Sequence, residues 1–144
     1  MNVPYAVLTE KIYNIIINIL HSFLNVAIIK SGGIIYMRRK EDLPECAVAT
    51  TVSMIGNKWK LLIIRNLISR SWRFNELQRD LKGISQKVLT DSLRSMEADG
   101  IITRTVYPEV PPRVEYALNE LGKSLCPVID EMKKWGLMYK ELAE

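Results

Sequence analysis

The chain has 144 residues, of which 48% are hydrophobic and 25% charged, so it can bury one core but is too short for a large multidomain enzyme. Lysine and arginine number 20 against 16 acidic residues, a formal net charge of +4 that suits a polyanionic partner. A single histidine and two distant cysteines provide no recognisable metal site, disulfide scaffold or histidine base. We therefore expect no catalysed reaction, no cofactor and a reducing, cytoplasmic environment.

The first 36 residues contain an uncharged stretch, residues 12–29, which is long enough to raise the question of a membrane span. Its polar residues recur at helical spacing on one face, namely Asn14, Asn18, His21 and Asn25. Such a stripe favours a helix packed on protein, at a subunit interface, over a helix surrounded by lipid. Membrane attachment through residues 12–29 is the alternative.

A further interpretation concerns the start of translation. Two adjacent glycines, Gly32 and Gly33, precede Met37, and their codons can encode a ribosome-binding site at a suitable distance from a start codon. Residues 1–36 would then be a translated leader without a function of its own. Residues 37–144 would be the functional domain.

The next segment predicts three helices. Residues 46–55 predict a short helix, in which the small and apolar residues Ala47, Val48, Thr51, Met54 and Ile55 keep helical spacing. Residues 59–69 predict a strongly apolar helix at the centre of the domain. Residues 72–74 are predicted to turn the chain into a short helix over residues 75–81, which ends at a tight turn of Lys82 and Gly83.

The helix after this turn carries the candidate binding residues. Ser85 is placed to cap it, and it is predicted to run to about residue 98 with Leu89, Leu93 and Met96 inward. The predicted outer face carries Gln86, Lys87, Thr90, Asp91 and Arg94. Two short helices joined by a glycine turn, the second presenting amides, hydroxyls and cations, are typical of a helix-turn-helix. We predict that Ser85, Gln86, Lys87, Thr90 and Arg94 bind DNA.

Beyond this helix the pattern changes to β. Residues 101–107 and 113–118 predict two strands separated by a proline-rich loop, which is a hairpin wing. Arg113 follows two prolines, and a stiff loop would limit the entropy lost when its guanidinium is placed against DNA. An ion pair with Glu109 or Glu115 is the alternative for Arg113.

A long C-terminal helix, about residues 120–142, is predicted to begin at a cap on Asn119. Its apolar stripe consists of Leu121, Leu125, Val128, Ile129, Met132, Trp135 and Tyr139. So long a stripe predicts a second subunit that covers it.

Positive charge is concentrated in the middle of the chain. Residues 57–87 hold eight cations and two acids, a local net charge of 8 − 2 = +6. Within this window Lys58 and Lys60 are weaker candidates for phosphate contact, and Arg65 is predicted to be structural because its helix is largely buried.

Six sequence motifs follow one another along this part of the chain, namely CAV at 46–48, IGNKWKLLII at 55–64, RFNEL at 73–77, GISQKVLT at 83–90, MEADG at 96–100 and YPEVPPRVEY at 107–116. Together they closely resemble the HxlR family of winged helix-turn-helix transcription regulators. The resemblance covers about residues 43–139 and leaves residues 1–36 outside it.

The resemblance implies a mainly α fold with a small β-hairpin wing, and a homodimer formed through the flanking N- and C-terminal helices. It implies binding to double-stranded, pseudo-palindromic operators, with the helix from Ser85 in the major groove and the hairpin around Arg113 beside it. It also implies that Cys46 is a candidate sensor of redox or electrophile stress, with Cys126 of another subunit an uncertain partner. A buried, inert Cys46 is the alternative, and the rival for the whole chain is a winged-helix module that binds protein and not DNA.

Overall fold

The structure is a computed structural model that describes residues 26–29, 33–36 and 38–143. Contacts along the chain divide it into two compact units, Met1–Leu43 and Pro44–Glu144. The proposed start at Met37 and most of the proposed N-terminal helix lie outside the described residues.

In the first unit, the described residues form an antiparallel hairpin followed by a short 3-10 helix. Strand β1 (Val26–Ile29) pairs with β2 (Gly33–Tyr36), with Val26 opposite Tyr36 and Ile29 opposite Gly33. The 3-10 helix spans Lys40–Asp42.

The helix predicted over residues 12–29 is therefore wrong at its C-terminal end, where Val26–Ile29 is a strand. Three of these four residues are β-branched, and such side chains favour extended backbone. Residues 12–25 lie outside the described part. Among the helices at residues 38–143, none has the length and apolar run that crossing a membrane requires.

The second unit contains six helices and three strands among its described residues. In chain order these are α1 (Ala47–Ile55), α2 (Lys58–Leu67), β3 (Trp72–Arg73), α3 (Phe74–Asp80), α4 (Gln86–Ala98), β4 (Ile102–Tyr107), β5 (Arg113–Leu118), α5 (Glu120–Lys123) and α6 (Cys126–Leu142). The three strands form one antiparallel sheet in the order β3-β5-β4. The prediction of a mainly helical fold with a hairpin wing is confirmed.

The core of this unit lies between α2, α3, α4 and the sheet. Its fully buried side chains are Ile63, Ile64, Leu77, Leu89, Leu93, Met96 and Ile101. Helix α2 supplies two of them from its centre, so the prediction that this helix is central to the domain is confirmed. Packing against α2 fixes one face of α4 inward and leaves the opposite face to solvent.

Trp72–Arg73, which we predicted to be a turn, is a two-residue strand. Trp72 pairs with Tyr116 and Arg73 with Glu115, and the indole N–H of Trp72 donates to the carbonyl oxygen of Asn66 at 2.9 Å. The partner strand lies more than forty positions along the chain, so no local pattern marks this strand.

The single C-terminal helix predicted over residues 120–142 is two helices, α5 and α6, separated at Ser124 and Leu125. Asn119 caps α5 as predicted, since its side-chain oxygen accepts from the N–H of Gly122 at 2.9 Å. The interruption has a cause in Pro127, which has no N–H to donate and whose ring would clash with the carbonyl four residues earlier. Proline is tolerated only in the first turn of a new helix.

The surface of this unit is unusually apolar along α6, which has no buried residue. Its exposed apolar face consists of Val128, Met132, Trp135, Met138, Tyr139 and Leu142. Val48 and Val52 of α1 are exposed as well. Large apolar patches of this kind mark surfaces that another protein covers.

Candidate nucleic-acid interface

The entry to α4 is set by a glycine turn and a serine cap. Gly83 has φ +90°, a conformation that glycine adopts readily and other residues rarely do. Leu81 and Ile84 on either side are buried and anchor the turn to the core. The Oγ of Ser85 accepts from the N–H of Val88 at 3.2 Å, so the predicted cap is confirmed and α4 begins at Gln86.

Helix α4 separates its two faces as the sequence predicted. Leu89, Leu93 and Met96 are buried. On the opposite side Gln86, Lys87, Asp91 and Arg94 are exposed, whereas Thr90 is half-buried and its Oγ1 donates to the carbonyl oxygen of Gln86 at 2.8 Å. The face offers an amide, a hydroxyl, two cations and one carboxylate, which are the groups that read base edges and hold phosphates.

Lys87 and Asp91 form an ion pair along this face. The Nζ of Lys87 lies 2.7 Å from Oδ2 of Asp91, and both side chains are well exposed. The hydrogen bond to Asp91 raises the pKa of Lys87, so its ammonium stays protonated throughout the neutral range. Arg94, one turn further on, makes no ion pair within the part of the chain that the structure describes.

A groove of about 440 Å³ runs along α4 on the side of the sheet. Its polar lining consists of Gln86, Thr90, Arg94, Glu97, Arg104 and Tyr116. Arg104 projects from β4 and was not predicted, because a lone arginine in an alternating strand carries no local signal of its neighbours. It shares the groove with Arg94, so arginines from two different elements line it.

Arg113 at the start of β5 is held by contacts within the chain. Its Nη2 lies 2.9 Å from Glu109 and its Nη1 2.8 Å from Glu115, and its guanidinium stacks 3.8 Å from the ring centre of Tyr107. The hydrogen bond to Glu109 contributes most to raising the pKa of Arg113. Both ion pairs named as the alternative are present, and direct DNA contact by Arg113 stays a prediction.

The two lysines that flank Trp59 differ in position. Lys60 is almost buried, and its Nζ donates to the carbonyl oxygen of Met54 and to Oγ of Ser95, each at 2.8 Å. It also lies 3.6 Å from the carboxylate of buried Asp99. Lys60 therefore connects α2 to α4 inside the domain and is not available to phosphate, whereas Lys58 is exposed over the Trp59 ring.

The remaining cations of the basic stretch are divided between paired and unpaired side chains. Arg65 contacts Asp80 and Asn66, in keeping with a structural role, and Arg70 pairs with Glu76. Four exposed cations make no ion pair within the described residues, namely Lys58, Arg73, Arg79 and Lys82. The surface around the helix-turn-helix thus keeps a net positive charge suited to a polyanion.

Neither cysteine belongs to α4. Cys46 is exposed and immediately precedes α1, and Cys126 is half-buried at the first position of α6. Both are free thiols. Among residues 38–143, no group of three or more histidine, cysteine or acidic side chains is arranged to hold a metal ion.

Comparison with known sequences places this arrangement among regulators. The profile of one protein family, described as HxlR-like helix-turn-helix, matches residues 54–144. An HTH-type transcriptional regulator of Methanothermobacter thermautotrophicus is 49% identical over 94 residues, which are 65% of this chain and 72% of that protein. The HTH-type transcriptional regulator YdeP of Bacillus subtilis is 48% identical over 101 residues, 70% of this chain and 79% of YdeP.

Solved structures show the same similarity. The redox regulator HypR in its oxidised form matches with a TM-score of 0.63 and 46% identity, covering 65% of this chain and 96% of that one. The reduced form of the transcriptional regulator YodB from B. subtilis matches with a TM-score of 0.57 and 36% identity, covering 64% of this chain and 91% of that one.

Proposed function

The chain belongs to the HxlR-like helix-turn-helix family of transcription regulators, and from that premise we propose that it binds a pseudo-palindromic operator as a homodimer, in the cytoplasm. The observation that carries the proposal is the outer face of α4, which is capped, rigidly backed by the core and lined by polar and cationic groups. No step of this function is catalytic.

In the proposed complex α4 lies in the major groove. Gln86 and Thr90 are suited to hydrogen bonds with base edges, and Lys87 and Arg94 to guanine or to phosphate. Ser85, at the N-terminus of α4, lies where phosphates bind to helix ends. Arg104 adds a cation on the adjoining strand, facing the same groove as Arg94.

The hairpin wing is proposed to contribute to DNA binding through its shape as well as its charge. Arg113 holds Glu109 in the loop and Glu115 in the strand through two ion pairs, which stabilise the conformation of the hairpin loop. A direct contact of Arg113 with DNA requires its guanidinium to exchange a carboxylate for a phosphate, and we propose this exchange at the edge of the interface.

The second subunit is proposed to cover the apolar face of α6. That face carries Trp135 stacked on Tyr139 with ring centres 5.3 Å apart, and both rings are more than half exposed in the single chain. We propose that the two copies of α4 in this dimer bind half-sites on successive turns of one duplex, as helix-turn-helix dimers do.

A redox response through Cys46 is a second element of the proposal. Cys46 is an exposed free thiol, and HypR, which the chain resembles in structure, is a redox regulator. Diamide treatment followed by a non-reducing gel is expected to give a crosslinked species that Cys46→Ser lacks. If wild type shows no change in mass or in DNA affinity, Cys46 is not a sensor.

The test of DNA binding is selection from a library of random duplexes, followed by affinity measurements on the enriched duplex. We expect a two-fold symmetric motif whose binding weakens steeply as salt rises, because phosphate contacts release counterions. Failure to enrich any motif, or a flat salt response, would favour the rival protein-binding module.

A further inference from the structure

The carboxylate of Asp91 lies among the cations and amides of the outer face of α4, and the positive charge of that surface does not explain it. Asp91 lies in the middle of the outer face, four residues after Lys87 and three before Arg94, so it is one turn from each cation. DNA carries a phosphate charge about every 1.7 Å of duplex and repels a carboxylate that is placed against its backbone. An acidic group at this position therefore weakens any complex held by phosphate contacts alone.

Helix stability does not account for Asp91 either. It pairs with Lys87 at 2.7 Å, but the lysine precedes the acid, which is the less favourable orientation with respect to the helix dipole. Both side chains are exposed, 87% and 56%, and exposed pairs of this kind contribute little to stability. Arg94 does not pair with Asp91 within the described residues.

We infer that Asp91 is a specificity-determining residue, which accepts a hydrogen bond from the N4 amino group of a cytosine in the major groove. This inference rests on the proposed function. Cytosine presents that amino group as a donor in the major groove, and a carboxylate is its matching acceptor. Guanine and thymine present no donor to the carboxylate, and adenine presents its N6 amino group beside the N7 acceptor, which repels a carboxylate.

Lys87 takes part in the same exchange. In the free protein its ammonium is bonded to Asp91, and on a matching site each group acquires a new partner on the DNA, the lysine a phosphate or a guanine. On a non-matching site, Lys87 breaks its hydrogen bond with Asp91 to reach the DNA, and the carboxylate gains no new hydrogen bond in return. The pair therefore lowers affinity for random duplex more than affinity for the operator.

The experiment uses selection from random duplexes with the full chain and two variants. Asp91→Asn removes the charge and keeps the shape. The matched control is Glu120→Gln, which makes the same charge change in another exposed helical pair, Glu120 with Lys123 at 2.7 Å. Circular dichroism checks that both variants keep the helical content of wild type.

For wild type and Glu120→Gln we expect the same motif with an invariant cytosine. In Asp91→Asn that position should shift towards adenine, the base that asparagine reads, and the other positions should stay unchanged. The ratio of affinities for the selected and a shuffled duplex should fall by about tenfold, mainly because affinity for the shuffled duplex rises.

Two results would overturn the inference in different ways. If wild type selects a motif and Asp91→Asn selects the same motif with the same affinity ratio, Asp91 has no role in specificity and the proposed function stands. If wild type selects no motif, the proposed function fails and the inference fails with it.

Discussion

Lys58 and Lys60 lie two positions apart in one basic stretch, and only the structure separates their roles. In the sequence they are equivalent candidates for phosphate contact, one on either side of a tryptophan. The difference comes from Ser95 and Asp99, which lie more than thirty positions further on and surround the Nζ of Lys60. Charge in a sequence window predicts the sign of a surface but not which of its members are buried.

Replacing Lys60 should therefore lower the stability of the domain as well as its net charge. Lys60→Met removes the ammonium that lies 3.6 Å from the buried carboxylate of Asp99 and donates to Met54 and Ser95, and we expect the free energy of unfolding to fall by about 3 kcal/mol. Urea denaturation at fixed protein concentration measures this loss. The control is Lys58→Met, whose exposed ammonium over Trp59 should cost less than about 1 kcal/mol. Equal losses in the two variants would contradict the buried role of Lys60.

In the second unit, the elements that were predicted correctly are those whose sequence signals lie within the element or next to it. Helix α4 was predicted closely, because its serine cap, its glycine turn and its apolar spacing all lie within the helix or next to it. Strand β3 was missed because its pairing with β5 is long-range. Pro127 indicates the break before α6, but the apolar spacing continues across this position and favoured a single helix.

Helix α5 approaches the start of β4 at a glycine, and this approach gives a prediction for the element. A Cβ on Gly122 would lie 2.1 Å from the carbonyl oxygen of Ile101, a backbone atom that cannot move aside easily. We expect Gly122→Ala to lower the free energy of unfolding by about 3 kcal/mol through overpacking.

The matched control is Gly136→Ala in α6, where an added Cβ meets nothing within 4 Å. That change should stabilise the helix by about 0.5–1 kcal/mol, because alanine loses less backbone entropy than glycine. Both variants are compared by urea denaturation. A Gly122→Ala protein as stable as wild type would show that α5 does not pack closely on β4.

For the whole molecule, the winged helix-turn-helix family was predictable because many ordered motifs match it, whereas the N-terminal hairpin was not. Val26–Ile29 and Gly33–Tyr36 lie outside those motifs, and their apolar residues suit either a helix or a strand. The sequence also predicted that a second subunit packs on the C-terminal apolar stripe, and the exposed apolar face of α6 agrees with that expectation.

Association of two chains should depend on that face. Trp135→Glu places a charge next to Tyr139, and we expect light scattering after gel filtration to change from the mass of two chains to that of one. Lys133→Glu, on the charged side of the same helix, should leave the mass at two chains. A wild-type mass of one chain at micromolar concentration would contradict the proposed dimer.

The most direct test of the account is the affinity of the Lys87→Ala/Arg94→Ala double variant for the duplex that wild type selects. Both side chains are exposed on the face opposite the core, so the variant should fold and associate as wild type does. The account predicts affinity at least about a hundredfold weaker, and a slope of log affinity against log salt that is less steep by roughly one to two. Unchanged affinity and an unchanged slope, with folding and mass intact, would show that the outer face of α4 does not bind DNA.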